Sequence, residues 1–157
     1  MLKEITSLDG YETFIEEICS DSNYVDPHYL YDYNNLYNAF GKRDQYVYAN
    51  INDGNIDGIF VLLILPNEKY IEMIIGLSKS EHAYNDLFKY LQKDYKGYRC
   101  DFVINPKNIL LKNILVSKDA KFENEQQRMI VGLSSHRDYL LDIQLYSEQW
   151  KQAYIDM

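Results

Sequence analysis

The residues able to do chemistry in this chain of 157 are few, and their spacing excludes more than it offers. His28, His82 and His136 stand far apart, with no H-x-x-x-H or H-E-x-x-H pair, so the sequence predicts no metal site and surface histidines. Cys19 and Cys100 lack C-x-x-C spacing and have no histidine close in sequence; they read as buried reduced thiols, without a disulfide framework. No G-x-S-x-G elbow is present, so hydrolase and thiol chemistry find no support. Two places remain. Ser78-Lys79-Ser80 opens a predicted helix, where hydroxyls, an ammonium and free N–H groups hold an anion weakly, opposed by Glu81 in the first turn. Glu72 alternates with Ile71 and Met73, which sends its carboxylate away from the apolar face, the ordinary pattern of a solvent-facing strand charge. Asn108 opens a short apolar helix, where it either caps the helix or contacts a ligand.

The elements that must position these residues follow from periodicity. Residues 2–5 form a short strand. Asp9 and Glu12 have capping-box spacing ahead of a helix whose stripe is Tyr11, Phe14, Ile15 and Ile18, ending before Asp21-Ser22-Asn23. Pro27 sits in the first turn of a second helix within 24–40, and 41–44 turn the chain. From Gln45 the period becomes two, and Asp53-Gly54 joins strands 45–51 and 56–65 as a hairpin. Strand 70–75 follows Pro66-Asn67-Glu68. Ser78 and Glu81 repeat the capping-box spacing before a helix with Ala83, Leu87, Phe88 and Leu91 inside. Strand 99–104, helix 108–116 and strands 122–133 and 138–145 complete the order. Because a helical crossover joins parallel strands while hairpins pair antiparallel, the order predicts an α+β domain with a mixed central sheet flanked by helices. Its expected core is Phe14, Ile15, Val61, Leu63, Met73, Ile75, Leu87, Phe88, Phe102, Ile104 and Ile114. Residues 1–145 form this domain. Residues 146–157 form a helical tail or linker, striped by Tyr146, Trp150, Ala153 and Met157.

Composition narrows the partners. Lys and Arg total 16 against 24 Asp and Glu, a net charge of −8 with no basic stripe, so nucleic acid lacks its electrostatic attraction. The longest apolar run, 59–65, is far short of the roughly 20 residues a membrane helix needs, and Met1-Leu2-Lys3-Glu4 opens no secretory signal. A cytoplasmic location without a membrane partner is expected. The 16 tyrosines suit a cleft or interface rim, or reflect a Tyr/Asn/Ile/Lys-rich proteome.

The element order, with Asp101-Phe102-Val103-Ile104-Asn105-Pro106-Lys107-Asn108 leading into a helix and then Asp119-Ala120-Lys121-Phe122, resembles the GNAT (Gcn5-related N-acetyltransferase) superfamily. The stretch Phe122-Glu123-Asn124-Glu125-Gln126-Gln127-Arg128-Met129 and residues 146–157 are also similar to the first half of proteins with two such domains in tandem.

The resemblance implies an acyl-CoA lying between the fourth and fifth strands, here 70–75 and 99–104. It implies a pantetheine arm along the backbone of Ile74 and Ile75, phosphates near Gly76, Ser78, Lys79 and Ser80, and Asn108 at the cofactor. Acetyl-CoA would be the donor and a small-molecule or peptide amine the acceptor. Such a transfer needs a base for the ammonium proton, for which Glu72 is the candidate. Two departures stand out. The family's glycine-rich phosphate loop is reduced to Gly76, and Leu115 falls where its tyrosine acid is counted from Asn108. The implied activity is therefore acyl-CoA-dependent N-acyl transfer with a degenerate pyrophosphate loop; the alternative is a non-catalytic domain of the same fold that binds a ligand or pairs with a partner. A homodimer or a second such domain is the implied assembly.

Overall fold

In the computed structural model residues 1–27, 29 and 34–123 are described, and they form a five-stranded sheet with helices on both faces. The strands are β1 (Leu2–Ile5), β2 (Gln45–Asn52), β3 (Asn55–Leu65), β4 (Tyr70–Leu77) and β5 (Arg99–Phe102), side by side in that order. The first three pairings are antiparallel, and β4 pairs with β5 in parallel across a helical crossover. The helices are α1 (Glu12–Cys19), α2 (Asn34–Asn38), α3 (Glu81–Asp94) and α4 (Ile109–Ser117), with a 3-10 turn at Ala39–Gly41. This is the mixed-sheet α+β architecture expected from the sequence.

The β2–β3 hairpin closes on Asp53 and Gly54, both at positive φ (49° and 80°), as a two-residue turn that follows the strand twist requires. In α1 Ile15 and Ile18 are buried, with Tyr11 and Phe14 packed beside them, so the expected stripe faces the sheet. Its expected cap does not form. Tyr11 holds the N-cap position without a side-chain hydrogen bond, because Leu8 to Tyr11 close a turn (2.9 Å) with Gly10 at φ +84° and carry Asp9 off the helix end. The second helix expected within 24–40 is helical at Pro27, at Tyr29 and over Asn34–Asn38 among the described residues.

Two cores result. On one face α3 and α4 cover Tyr48, Phe60, Leu62, Ile64, Ile71 and Met73 with Tyr84, Leu87, Leu111 and Ile114. On the other, α1 and Leu36 cover Val47, Ala49, Ile59, Val61, Ile75 and Leu77. Seven of the eleven expected core residues are buried, while Phe14, Leu63, Phe102 and Ile104 are half-buried. Among the described residues no helix is long and apolar enough to cross a membrane. The expected strands 122–133 and 138–145, the domain boundary after residue 145 and the stripe of residues 146–157 lie outside the described residues.

Candidate functional site

The site is set by a bulge in β4. Val61 pairs with Ile75 but Leu62 pairs with Met73, so Ile74 is one residue too many for the ladder. An extra residue resets the alternation of faces. Ile71 and Met73 therefore pack under α3, whereas Ile75 and Leu77 pack under α1. Pairing with β5 stops at the same place: it runs from Tyr70↔Arg99 to Met73↔Phe102 and goes no further. Beyond Met73 the two strands part, leaving residues 74–77 of β4 past the end of β5.

Glu72 stands just before the bulge, opposite Leu63 on β3 and Asp101 on β5. Since Leu63 shares a face with the buried Val61, Glu72 lies on the α1 side of the sheet, at an end where both it and Leu63 are only half-buried. It is not a lone surface charge. The Tyr70 hydroxyl donates to Asp101 (3.2 Å) and more weakly to Glu72 (3.4 Å), and the Arg99 guanidinium grips Asp101 with two hydrogen bonds of 2.8 and 3.0 Å. Burial, then the carboxylates of Glu72 and Asp101, push the Tyr70 phenol up to about 12, while the Arg99 hydrogen bonds hold Asp101 below the usual carboxylate range. Glu72 thus shares the Tyr70 hydroxyl with an Asp101 that Arg99 already holds.

The turn from β4 into α3 is closed on itself. Ser80, not Ser78, is the N-cap, its hydroxyl accepting from the Ala83 N–H at 3.3 Å. Ser78 is fully buried: its hydroxyl donates to the Asp57 carbonyl at 2.6 Å and accepts from the Ser80 N–H at 2.9 Å. The capping-box spacing points to Ser78, but the burial of Leu77 and Ser78 carries the strand's tight packing up to residue 78 and leaves the cap to Ser80. Asn108 is buried and caps α4 by accepting from the Leu111 N–H (3.0 Å), while its amide donates to the buried Tyr84 hydroxyl at 3.4 Å. Leu115 is buried in the core under α4, without a hydroxyl at that position.

One segment was not singled out by sequence and proves central. Residues 21–27, between α1 and the second helical stretch, lie against the parted strands. The Gly76 N–H donates to the carboxylate of Asp26 at 3.0 Å, and Asp26 is only 3% exposed. Strand amides lie in the plane of the sheet and point to one neighbour or the other. With β3 holding one side of β4, an amide that donates to Asp26 lies on the β5 side. Lys79 pairs with Asp21 (3.4 Å) and lies over the Tyr24 ring, 5.6 Å from its centroid. After β5, the Asn105 amide donates to the carbonyls of Ser22 (2.9 Å) and Val25 (3.1 Å). An open groove of about 410 Å³ runs alongside, lined by Cys19, Ser22, Val25, Pro27, Asn105 and Lys107 among others. The Cys19 thiol at its wall is pushed up to about 11, by burial above all, with a hydrogen bond from Tyr29 working against this and the Asp26 charge reinforcing it. A thiol so shifted is a poor nucleophile at neutral pH. Both cysteines are half-buried and unpaired with one another, rather than fully buried. Among the described residues no group of three or more His, Cys, Asp or Glu has the arrangement of a metal site.

Met73-Ile74-Ile75 is three apolar residues in a row, but the longer apolar run 59–65 of β3 inserts no residue, so the sequence alone carries no specific sign of the bulge. Asp26 carried none, since its partner is 50 positions away.

No protein-family model matches this chain, and no curated protein matches it in sequence. Solved structures do match in fold. The aminoglycoside N-acetyltransferase AAC(6')-Iy in complex with CoA superposes with a TM-score of 0.52 at 10% identity, over 84% of this chain and 98% of that one. An aminoglycoside acetyltransferase from an uncultured soil metagenomic sample gives TM-scores of 0.46 in complex with trehalose and 0.45 in complex with sisomicin, at 10% and 12% identity, over 85% of this chain and 96% of that one in each case. The chain has the GNAT fold, that of the acyl-CoA N-acyltransferases.

Proposed function

We propose that this chain is an acyl-CoA-dependent N-acyltransferase, with acetyl-CoA as donor and a small-molecule or peptide amine as acceptor. The observation that carries this reading is the parting of β4 from β5 directly after a bulge, on a fold shared with a CoA-bound acetyltransferase. Past Met73 residues 74–76 of β4 run beyond the end of β5, and an extended amide-bearing arm would add there as a strand does once the present partners of Ile74 and Gly76 give way. The donor supplies an activated thioester; this chain supplies placement and a base. Glu72, half-buried beside the Tyr70 hydroxyl, takes the proton from the acceptor ammonium; the freed amine attacks the thioester carbonyl, the C–N bond forms as the C–S bond breaks, and CoA leaves as the thiolate, protonated by solvent. Gly76, Ser78, Lys79, Ser80 and Asn108 are the further candidate contacts, and their present engagements set the terms of binding. Ser78 and Ser80 contribute by shaping the β4–α3 turn and Asn108 by capping α4, since their side chains serve those helix ends. Gly76 and Lys79 are each held by the 21–27 segment.

Those two contacts also favour a second reading, a non-catalytic domain of the same fold that binds a ligand or pairs with a second domain. Calorimetric melting with acetyl-CoA separates the two. At a ligand concentration about 100 times its Kd, an acyl-CoA-binding chain gains about 2.7 kcal/mol, a rise of several degrees in Tm. An unchanged Tm at millimolar acetyl-CoA favours the second reading.

A further inference from the structure

Gly76 and Lys79, the two groups on β4 and its following turn that would meet an acyl-CoA arm and its phosphates, are bound by one and the same stretch of chain. Asp26 accepts from the Gly76 N–H and Asp21 pairs with Lys79, so two carboxylates stand where an acyl arm and a phosphate would stand. Asn105, at the exit of β5, holds the carbonyls of Ser22 and Val25, which fixes the same stretch from the other side of the parted strands. Asn23 steadies it further, its N–H donating to Asp21 at 3.0 Å. Three hydrogen bonds and an ion pair thus keep residues 21–27 at the β4 edge, and the Asn23–Asp21 bond stiffens the segment internally.

We propose that residues 21–27 are an internal occupant of the cofactor site, and that acyl-CoA binds only when Asp26 leaves Gly76 and Asp21 leaves Lys79. This inference rests on the acyl-CoA reading and adds its regulation. A ligand whose binding-competent state is thinly populated binds with an affinity reduced by that fraction. Loosening the segment therefore tightens binding, the reverse of what loss of a binding residue does. The competition is chemical in kind: a carboxylate and an amide carbonyl both accept from Gly76, and a carboxylate and a phosphate both pair with Lys79.

Calorimetric titration of the full chain with acetyl-CoA tests this. Asn105→Ala removes two hydrogen bonds to the segment and no charge, and is expected to tighten binding about fivefold to tenfold. Asp21→Asn, at a solvent-accessible ion pair, is expected to tighten it about twofold to fivefold, and serves if Asn105→Ala fails to fold. Because removing any acid also lessens repulsion of an anionic ligand, Asp53→Asn in the exposed β2–β3 turn is the charge control, and the effect of Asp21→Asn is read as its excess over whatever Asp53→Asn gives. Wild type and Asn105→Ala binding equally, or Asp21→Asn tightening no more than Asp53→Asn, overturns the inference and leaves the acyl-CoA reading standing. No binding to any of the four proteins overturns that reading, and the inference with it.

Discussion

At the scale of single residues, the chemistry concentrates in hydroxyl–carboxylate contacts. Glu72 lies in the paired part of β4, not in the opening, so its loss should leave cofactor binding nearly intact while removing the proton acceptor. Under the acyltransferase reading, Glu72→Gln lowers kcat by about a hundredfold or more with KM for acetyl-CoA within about twofold; unchanged kcat would return Glu72 to a strand-surface charge. A second phenol group is structural. The Tyr48 and Tyr90 hydroxyls meet at 2.9 Å, and Tyr90 and Tyr95 at 3.3 Å, with rings in tilted and edge-on contact. Burial pushes Tyr48 and Tyr90 up to about 12 and lifts Tyr95 above the ordinary phenol range as well. A folded pKa raised above the unfolded value of 10.0 stabilises the fold fully below pH 10 and loses that contribution as pH climbs to about 12, because the unfolded chain ionises first. Urea midpoints should be level up to about pH 9.5 and fall through that window, and absorbance near 295 nm should show delayed phenolate formation. Simultaneous titration of every native tyrosine near pH 10 would contradict it.

At the scale of elements, α3 reaches the sheet through glycine. A Cβ added at Gly58 on β3 would stand 2.9 Å from the Phe60 ring and 3.2 Å from Ala83 of α3, and Phe60 is fully buried against Tyr84. Neither the ring nor the helix can move aside without opening the core, so Gly58→Ala should cost about 1–3 kcal/mol in urea unfolding. Gly76 is the useful contrast. Its added Cβ would meet the Met73 terminal methyl at 2.7 Å, the free end of a flexible chain, so Gly76→Ala should cost less. Equal costs at the two sites would show that the close approach of α3 does not depend on residue 58.

For the molecule as a whole, charge opposes the proposed ligand. A net charge of −8, with Asp21 and Asp26 at the β4 edge, repels an anion such as acetyl-CoA over distances that salt screens. The Debye length falls from about 30 Å at 0.01 M salt to about 10 Å at 0.1 M, so acetyl-CoA affinity should improve as salt is raised across that range. A fall in affinity with salt would mean that a basic surface holds the phosphates, and would move them away from the β4–α3 turn.

What the sequence determined on its own was whatever depends on consecutive residues. Asp53-Gly54 names its hairpin turn, Ile15 with Ile18 and Leu87 with Leu91 name the buried faces of their helices, and the place of Glu72 off the Ile71–Met73 face follows from strand alternation alone. The order of these elements was enough to predict a mixed sheet and its resemblance in fold. The tertiary structure decided that Ser80 and not Ser78 caps α3, because burial of Ser78 against the Asp57 carbonyl depends on β3 lying alongside. It decided that Asn108 turns its amide to Tyr84, and that Asp26 occupies the Gly76 amide across 50 residues of chain. Periodicity reports which side of its own element a residue faces; it carries no record of which distant residue arrives there, since that is set by how the intervening loops close.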